Sequence, residues 1–315
     1  MLEDFTLFVP VRDRHYNLKN VCSHYNDLDC KKIIVDSSIV SFKDLDLIES
    51  TGFDYVYYGP TKYVDKIHRI HNELVTTEFS LDCSDDDIIL KDAIKKSVEF
   101  LRYNDQYVAC DGQNLWFNKH NKSLFVKHPN KFFGPLKADF FSAVAIDRVT
   151  FDFNCCMTKQ HSVMRRNVSL TTWDVLKNYS PLRPMAFIER FHVFVTAIMG
   201  NSKKLPLVYN IRNSSNDRVM NRKDLKDEIQ NDISFIDNLD HEHLKPFVNL
   251  LIESTQGMCY QEGFDFCQSL IRDQLCGSSD LCHINTDNWD FRLGWETERR
   301  KYDSQITEAI DAMTL

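Results

Sequence analysis

Short apolar runs alternate with stretches of helical spacing through the first third of the chain. Phe5 to Val11 (FTLFVPV) is apolar and of strand length, and it stops at Pro10 and the charged residues that follow. Helical spacing comes next, with Leu18, Val21, Cys22 and Tyr25 on one face. KKIIVD is a second strand-like run ending in Asp36, and FDYVYYG a third, closed by Gly59. The segment TKYVDKIHRIHNELVTT predicts a helix that places Val64, Ile67, Ile70, His71 and Leu74 together. EFSLDC is a fourth strand, LKDAIKKSVEFLRYN an amphipathic helix, and QYVACDG a fifth strand ending at Gly112. Strands that are apolar throughout and separated by helices predict a buried, mostly parallel sheet with helices on both faces. Such sheets bind ligands beyond the carboxyl ends of their strands. That rule singles out the loop after Val9, Asp36, and the run Asp85, Asp86 and Asp87 after the fourth strand.

Beyond residue 113 the pattern loosens. LWFNKHNKSLFVKH predicts a hairpin around NKHNK, KQHSVMRR a strand, PMAFIERFHVFVTAIMG a helix opened by Pro184 and closed by Gly200, and LPLVYNIR a strand. From about residue 217 three helical patterns follow in succession, KDLKDEIQNDISFID, HEHLKPFVNLLIES and EGFDFCQSLIRDQL. The tail from Asn285 is polar with two tryptophans, and either packs across the body or hangs partly loose. The expected organisation is an α/β domain over 1–216, with a ligand half over about 1–113 and a second half over about 114–216, then a helical region over 217–315.

Composition narrows the partners. At 315 residues, with 43% hydrophobic and 27% charged residues, the chain has material for a sizeable core. A formal net charge of −8 supplies no basic face for nucleic-acid phosphates. The ten cysteines include no C-x-x-C pair and the start has no basic leader, so reduced thiols and a cytoplasmic location are expected. The best apolar run, FHVFVTAIMG, is about half the length that spans a bilayer. No G-x-S-x-G, G-x-x-x-x-G-K-[ST] or G-x-G-x-x-G occurs, and His241 and His243 lie on different faces of a helix.

The acidic run is the strongest chemical signal. Three like charges between two apolar stretches repel one another. A solvated turn capping the next helix would tolerate them, and so would a divalent cation bound through carboxylate oxygens. Mg²⁺ or Mn²⁺ held by one or two carboxylates and substrate phosphates fits an Asp-rich loop after a parallel strand. If the strand continues through the run, Asp85 and Asp87 share a side and Asp86 points elsewhere.

In order along the chain, FTLFVPVRDR, KKIIVDSS, KIHRIHNELVTTEFSLDCSDDD, AIKKSVEFLRYNDQYVACDG and FIERFHVFVTAIMGNSKKLPLVYNIRNSS resemble the family 2 glycosyltransferases of GT-A fold, in particular a bacterial subgroup with an SDDD form of the DxD motif. The resemblance covers roughly residues 5 to 215. It implies a metal-dependent, inverting transfer of a sugar from a nucleoside-diphosphate donor, with a UDP-sugar favoured, to the hydroxyl of a glycan or other acceptor. By that resemblance Asp36 faces the nucleobase, Asp85 and Asp87 are the outer acids of the motif with Asp87 the nearer to the metal, and Asp86 lies in the same nucleotide site. Pro10, Val11 and Arg12 match the loop lining the nucleotide pocket, and Lys66, Arg69 and Asn72 lie on a helix that supplies pocket contacts. An inverting transferase needs a carboxylate base for the acceptor hydroxyl. The sequence departs from the family there: FIER puts Glu189 nearest to the expected position, with Asp174 of TTWDVL in reserve. No Q-x-x-R-W motif of processive synthases appears. Two further readings stay open, a sugar-1-phosphate nucleotidyltransferase of similar fold, and a non-catalytic module binding glycans or partners.

Overall fold

The computed structural model describes residues 2–118, 123–125, 141–154, 159–178, 185–213, 241–275 and 303–314. Its centre is a sheet in the order β3-β2-β1-β4-β8-β6-β9-β5, with β7 paired to β6. The strands are β1 (Leu2–Val11), β2 (Cys30–Asp36), β3 (Asp54–Tyr57), β4 (Phe79–Asp82), β5 (Ile88–Ile89), β6 (Tyr107–Asn118), β7 (Ser123–Phe125), β8 (Val163–Arg165) and β9 (Asn201–Asn213). β1 runs parallel to β2 and β4, β2 to β3, and β6 to β9, while β8 is antiparallel to its neighbours β4 and β6. The helices are α1 (Leu18–Tyr25), α2 (Leu45–Ser50), α3 (Tyr63–Arg69), α4 (Lys91–Arg102), α5 (Ala145–Asn154), α6 (Arg166–Asn178), α7 (Met185–Met199), α8 (His241–Glu253), α9 (Tyr260–Leu275) and α10 (Asp303–Thr314). A mixed α/β fold with a mostly parallel sheet, helices on both faces and a helical C-terminal part is therefore what the sequence folds into.

Strand alternation sorts the two faces. Leu7, Val9 and Val11 of β1 pack with Leu18, Ile94, Leu101, Ile306 and Met313, whereas Phe8 packs with Ile67, Phe191, Phe194 and Phe247 on the opposite side. α1, α4 and α10 thus cover one face, and α3, α6, α7, α8 and α9 the other. Phe247 of α8 stacks on Phe191 at 4.1 Å between ring centres. The last part of the tail is a packed helix, with Ile306, Ala309 and Met313 buried; residues 223–237, where another helix is expected, lie outside the described residues. No helix among the described residues is long and apolar enough to cross a membrane.

Three elements differ from the pattern. Gly112 does not end the fifth strand: β6 continues to Asn118 and makes the first arm of the hairpin with β7. A Cβ at Gly112 would stand 2.7 Å from the Leu207 carbonyl oxygen, so the glycine lets β9 approach closely. KQHSVMRR supplies only a three-residue strand before the chain turns directly into α6. Between the acidic run and α4 lies β5, which pairs antiparallel with β9 through Ile88–Ile211 and Ile89–Asn210.

The fold places the acids at a break in winding. From β1 the chain builds outward through β2 and β3, then returns to the other side of β1 for β4. The loops leaving β1 and β4 thus lie at a reversal of winding, the position at which open α/β sheets bind ligands. Fully buried Tyr25 pins the far side of that region, since its hydroxyl accepts the Ile89 amide (2.9 Å) and donates to the Ile89 carbonyl (3.1 Å). Tyr25→Phe leaves both backbone groups of β5 without that partner, and a loss of about 1–3 kcal/mol is expected in chemical denaturation. An unchanged midpoint would show that Tyr25 does not brace β5.

Candidate active site at the carboxyl edge of the sheet

Val11, Asp36 and Tyr57 stand in register at the ends of β1, β2 and β3, and Phe8 of β1 is paired with Asp82 of β4. After Val11 the chain must turn sharply, and Asp13 takes a left-handed conformation (φ 55°) to do so. Its amide donates to Ser38 Oγ (2.7 Å), and its carboxylate accepts the Ile39 amide (3.0 Å). The loops after β1 and β2 are thereby tied together. The turn hands Arg14 to the acidic run: its guanidinium donates to Asp86 Oδ2 (2.7 Å) and to Asp85 Oδ1. Asp86 also accepts from the Ser84 hydroxyl.

Asp87 faces another way. Its oxygens accept from Arg212 Nε (3.1 Å) and the Asn213 amide (3.0 Å) at the end of β9. The expected sharing of one side by Asp85 and Asp87 is therefore corrected: one guanidinium bridges Asp85 and Asp86, and Asp87 is held by β9. Residues 83–87 form a turn and not a strand, so the two-residue alternation does not apply to them. Among the described residues, no three acidic, histidine or cysteine side chains are grouped so as to hold a metal by themselves.

Burial sets the charge states. The Asp85 carboxyl is pushed up to about 7 by burial, with Arg14 and the Asn17 side chain pulling against it, and its Oδ2 meets no donor within hydrogen-bond geometry among the described residues. Burial also raises Asp82, whose Oδ2 accepts from the Tyr63 hydroxyl (3.0 Å) and whose Oδ1 is without a partner. For Asp86, burial is outweighed by Arg14 and Ser84 together, which hold it below the usual carboxylate range. Lys66 of α3 is buried, donates to the Val11 carbonyl (3.2 Å), and is lowered to about 8 by desolvation against the pull of Asp82 and Asp85.

Asp36 is fully buried, and four donors converge on it: the Ser38 amide (2.8 Å), the Tyr55 hydroxyl (2.5 Å), His15 Nε2 (2.9 Å) and the Phe42 amide (3.3 Å). It shapes the 37–42 loop with its acceptors already engaged. Arg12 is exposed and lies 4.0 Å from Asp13, so the cation of this loop that reaches the acids is Arg14, two residues later. Of the Pro10–Val11 pair, Val11 buries its side chain in the core and offers its carbonyl to Lys66. Asn72 donates to the His68 carbonyl (3.0 Å) and Arg69 pairs with Glu73 (2.9 Å), so both serve their own helix surface.

The two candidate bases differ. Asp174 is half exposed and bonded to His68 Nε2 (2.8 Å) between α6 and α3. Glu189 is half-buried on α7, and its charge acts on the Tyr63 hydroxyl, the same hydroxyl that donates to Asp82. Glu189 makes no hydrogen bond or ion pair among the described residues. Arg14, His15, Asp82 and Arg212 are site residues that the sequence pattern did not single out; the charged RDRH after the first strand and an acid inside the fourth were the available signals.

No protein-family model and no curated protein matches this chain. Among solved structures, it is similar to the mannosyltransferase PcManGT from Pyrobaculum calidifontis in complex with GDP-Man and Mn²⁺, at 12% identity and a TM-score of 0.44, over 98% of this chain and 85% of that one. A likeness of that degree assigns neither substrate nor activity, and any functional reading has to come from the site itself.

The Asp36 cluster gives a pH-dependent test. Burial raises the carboxyl, but the donors from Ser38, Tyr55 and His15 together lower it below the ordinary 3.8. A depressed folded value contributes stability that is complete above 3.8 and lost as pH falls through the folded value. Asp36→Asn, which puts an amide N–H among four donors, is expected to cost about 1–3 kcal/mol at pH 7. The gap between variant and parent should narrow below 3.8. A gap constant down to pH 2.5 would show that the carboxylate charge does not hold this loop.

Proposed function

We propose that the chain is a metal-dependent glycosyltransferase that moves a sugar from a nucleoside-diphosphate donor, with a UDP-sugar favoured, to an acceptor hydroxyl, with inversion and without processivity. One observation carries this reading: Asp82, Asp85, Asp86, Lys66 and Arg14 converge beyond β1 and β4, where the direction of winding reverses. A crevice there with interleaved acids and cations suits a diphosphate together with a hard cation. The fit of a divalent ion rests on Asp85, whose buried Oδ2 accepts no hydrogen bond among the described residues and would be a carboxylate ligand once its proton is lost. Asp85 would hold Mn²⁺ or Mg²⁺ together with donor phosphate oxygens, and Asp87 would join it only by leaving Arg212 and the Asn213 amide. When bound, the ion would offset the charge that develops on the departing diphosphate.

The remaining roles fall to the chain's own residues. Asp36 acts through the 37–42 backbone that it fixes, and that loop would meet the nucleobase. Lys66 holds the Val11 carbonyl and keeps a positive charge beside the acids. In the transfer, the acceptor oxygen forms a bond to the anomeric carbon as the carbon–oxygen bond to the diphosphate breaks. The bonding pair leaves with the nucleoside diphosphate, and the hydroxyl proton passes to Glu189. The Glu189 carboxylate, without a partner among the described residues, suits that task better than Asp174, which is already engaged with His68. A nucleotidyltransferase reading is less well supported, because VPVRDRHYN has no glycine with which to wrap a triphosphate.

The test is a panel of nucleotide sugars assayed for Mn²⁺-dependent hydrolysis and transfer, followed by variants on the best donor. Glu189→Gln is expected to leave donor affinity within a few fold and to lower kcat by about 10²–10⁴. Asp174→Asn is expected to turn over near the parent rate. The reverse pattern would move the base to Asp174, and an absence of metal-dependent binding for every nucleotide would leave only a non-catalytic role.

A further inference from the structure

Arg14 stands where a cation is needed, yet it leaves the need half met. It donates to Asp85 Oδ1 and Asp86 Oδ2, while Asp85 Oδ2, in a side chain without solvent exposure, meets no donor within hydrogen-bond geometry among the described residues. Arg14 itself is 39% exposed, and among the described residues its guanidinium bonds to these two acids alone. The helical turn that begins at His15 receives no side-chain cap from it. The guanidinium is therefore anchored by two carboxylates while the side chain stays partly exposed.

Charge decides what happens when a donor arrives. Arg14 and Arg212 face the three acids of the run, and Lys66 lies beside them. A divalent ion added to that set brings positive charge beside Arg14, which already occupies one of the Asp85 oxygens. A diphosphate arriving with the ion brings negative oxygens to which a displaced guanidinium can turn. Arginine matches phosphate oxygens in the same forked geometry that it uses for carboxylates.

Resting on the glycosyltransferase reading, we infer that Arg14 is an exchangeable cation of this site: it holds Asp85 and Asp86 in the absence of donor, yields them to the divalent ion, and transfers its guanidinium to the leaving diphosphate. Arg14 would thus keep metal from binding firmly before the nucleotide, and would add to nucleotide affinity once metal is present.

These two effects have opposite signs, which makes them separable from loss of structure. Arg14→Gln and Arg14→Met are compared with the parent after thermal melts confirm folding. Free Mn²⁺ is measured by electron paramagnetic resonance without nucleotide, and UDP and GDP binding by calorimetry at saturating Mn²⁺. Both variants should bind Mn²⁺ alone about tenfold or more tightly, because a charge-assisted competitor is gone, and should bind the preferred diphosphate about tenfold or more weakly. Weaker binding of both ligands would make Arg14 a structural brace, and any pattern other than the opposed pair overturns the inference. If the parent binds UDP or GDP with metal dependence but the opposed changes are missing, only the role of Arg14 fails. If the parent binds no nucleotide under any metal condition, the functional reading fails with it.

Discussion

Three consecutive carboxylates repel one another, and the carboxyl edge of the sheet is organised around that repulsion. Two unit charges 4 Å apart cost about 4 kcal/mol at the effective dielectric of a protein surface, and more when water is excluded. The chain answers with two arginines from opposite directions. Arg14 comes from the loop after β1 and takes Asp85 and Asp86; Arg212 comes from the end of β9 and takes Asp87. Each needs its own scaffold. Arg14 depends on the left-handed turn at Asp13 and its ties to Ser38 and Ile39, which in turn depend on Asp36 fixing that loop. Arg212 depends on β9 pairing with β5, and β5 depends on the buried hydroxyl of Tyr25.

This dependence runs from core to edge. The two apolar faces of β1 and β2 lock the strands between layers of helices, so the strand ends are fixed in register. Fixed ends allow a short loop to hold strain and a buried carboxylate to accept four donors. The compensation is nevertheless incomplete: among the described residues, Asp85 and Asp82 each keep a buried oxygen that meets no donor within hydrogen-bond geometry. Unsatisfied buried acceptors cost free energy, and the proposed function assigns the one on Asp85 to a bound cation.

Much of the fold was legible because buried parallel strands read as apolar runs. β1, β2, β4, α1, α3, α4 and α7 follow from that rule and from helical spacing. Gly112 misled because a glycine marks either a turn or a close approach, and only the partner strand, with the Leu207 carbonyl beside it, decides between them. α6 was hidden because its strand-like start, VMRR, belongs half to β8 and half to the helix. The positions of Asp36 and the acidic run at the strand ends were legible, since topology alone puts them there. Their partners were not. Choosing Arg14 over Arg12 requires the backbone turn at Asp13, and separating Asp87 from Asp85 requires knowing that the run is a turn facing β9, 125 residues further along.

The most direct measurement of the central claim is a crystal structure with UDP- or GDP-sugar and Mn²⁺. The diphosphate and the ion should lie beyond β1 and β4, in contact with the acidic run, with the base against the 37–42 loop. A nucleotide bound elsewhere on the molecule, or an acidic run still closed by Arg14 with donor and metal present at saturation, would contradict it.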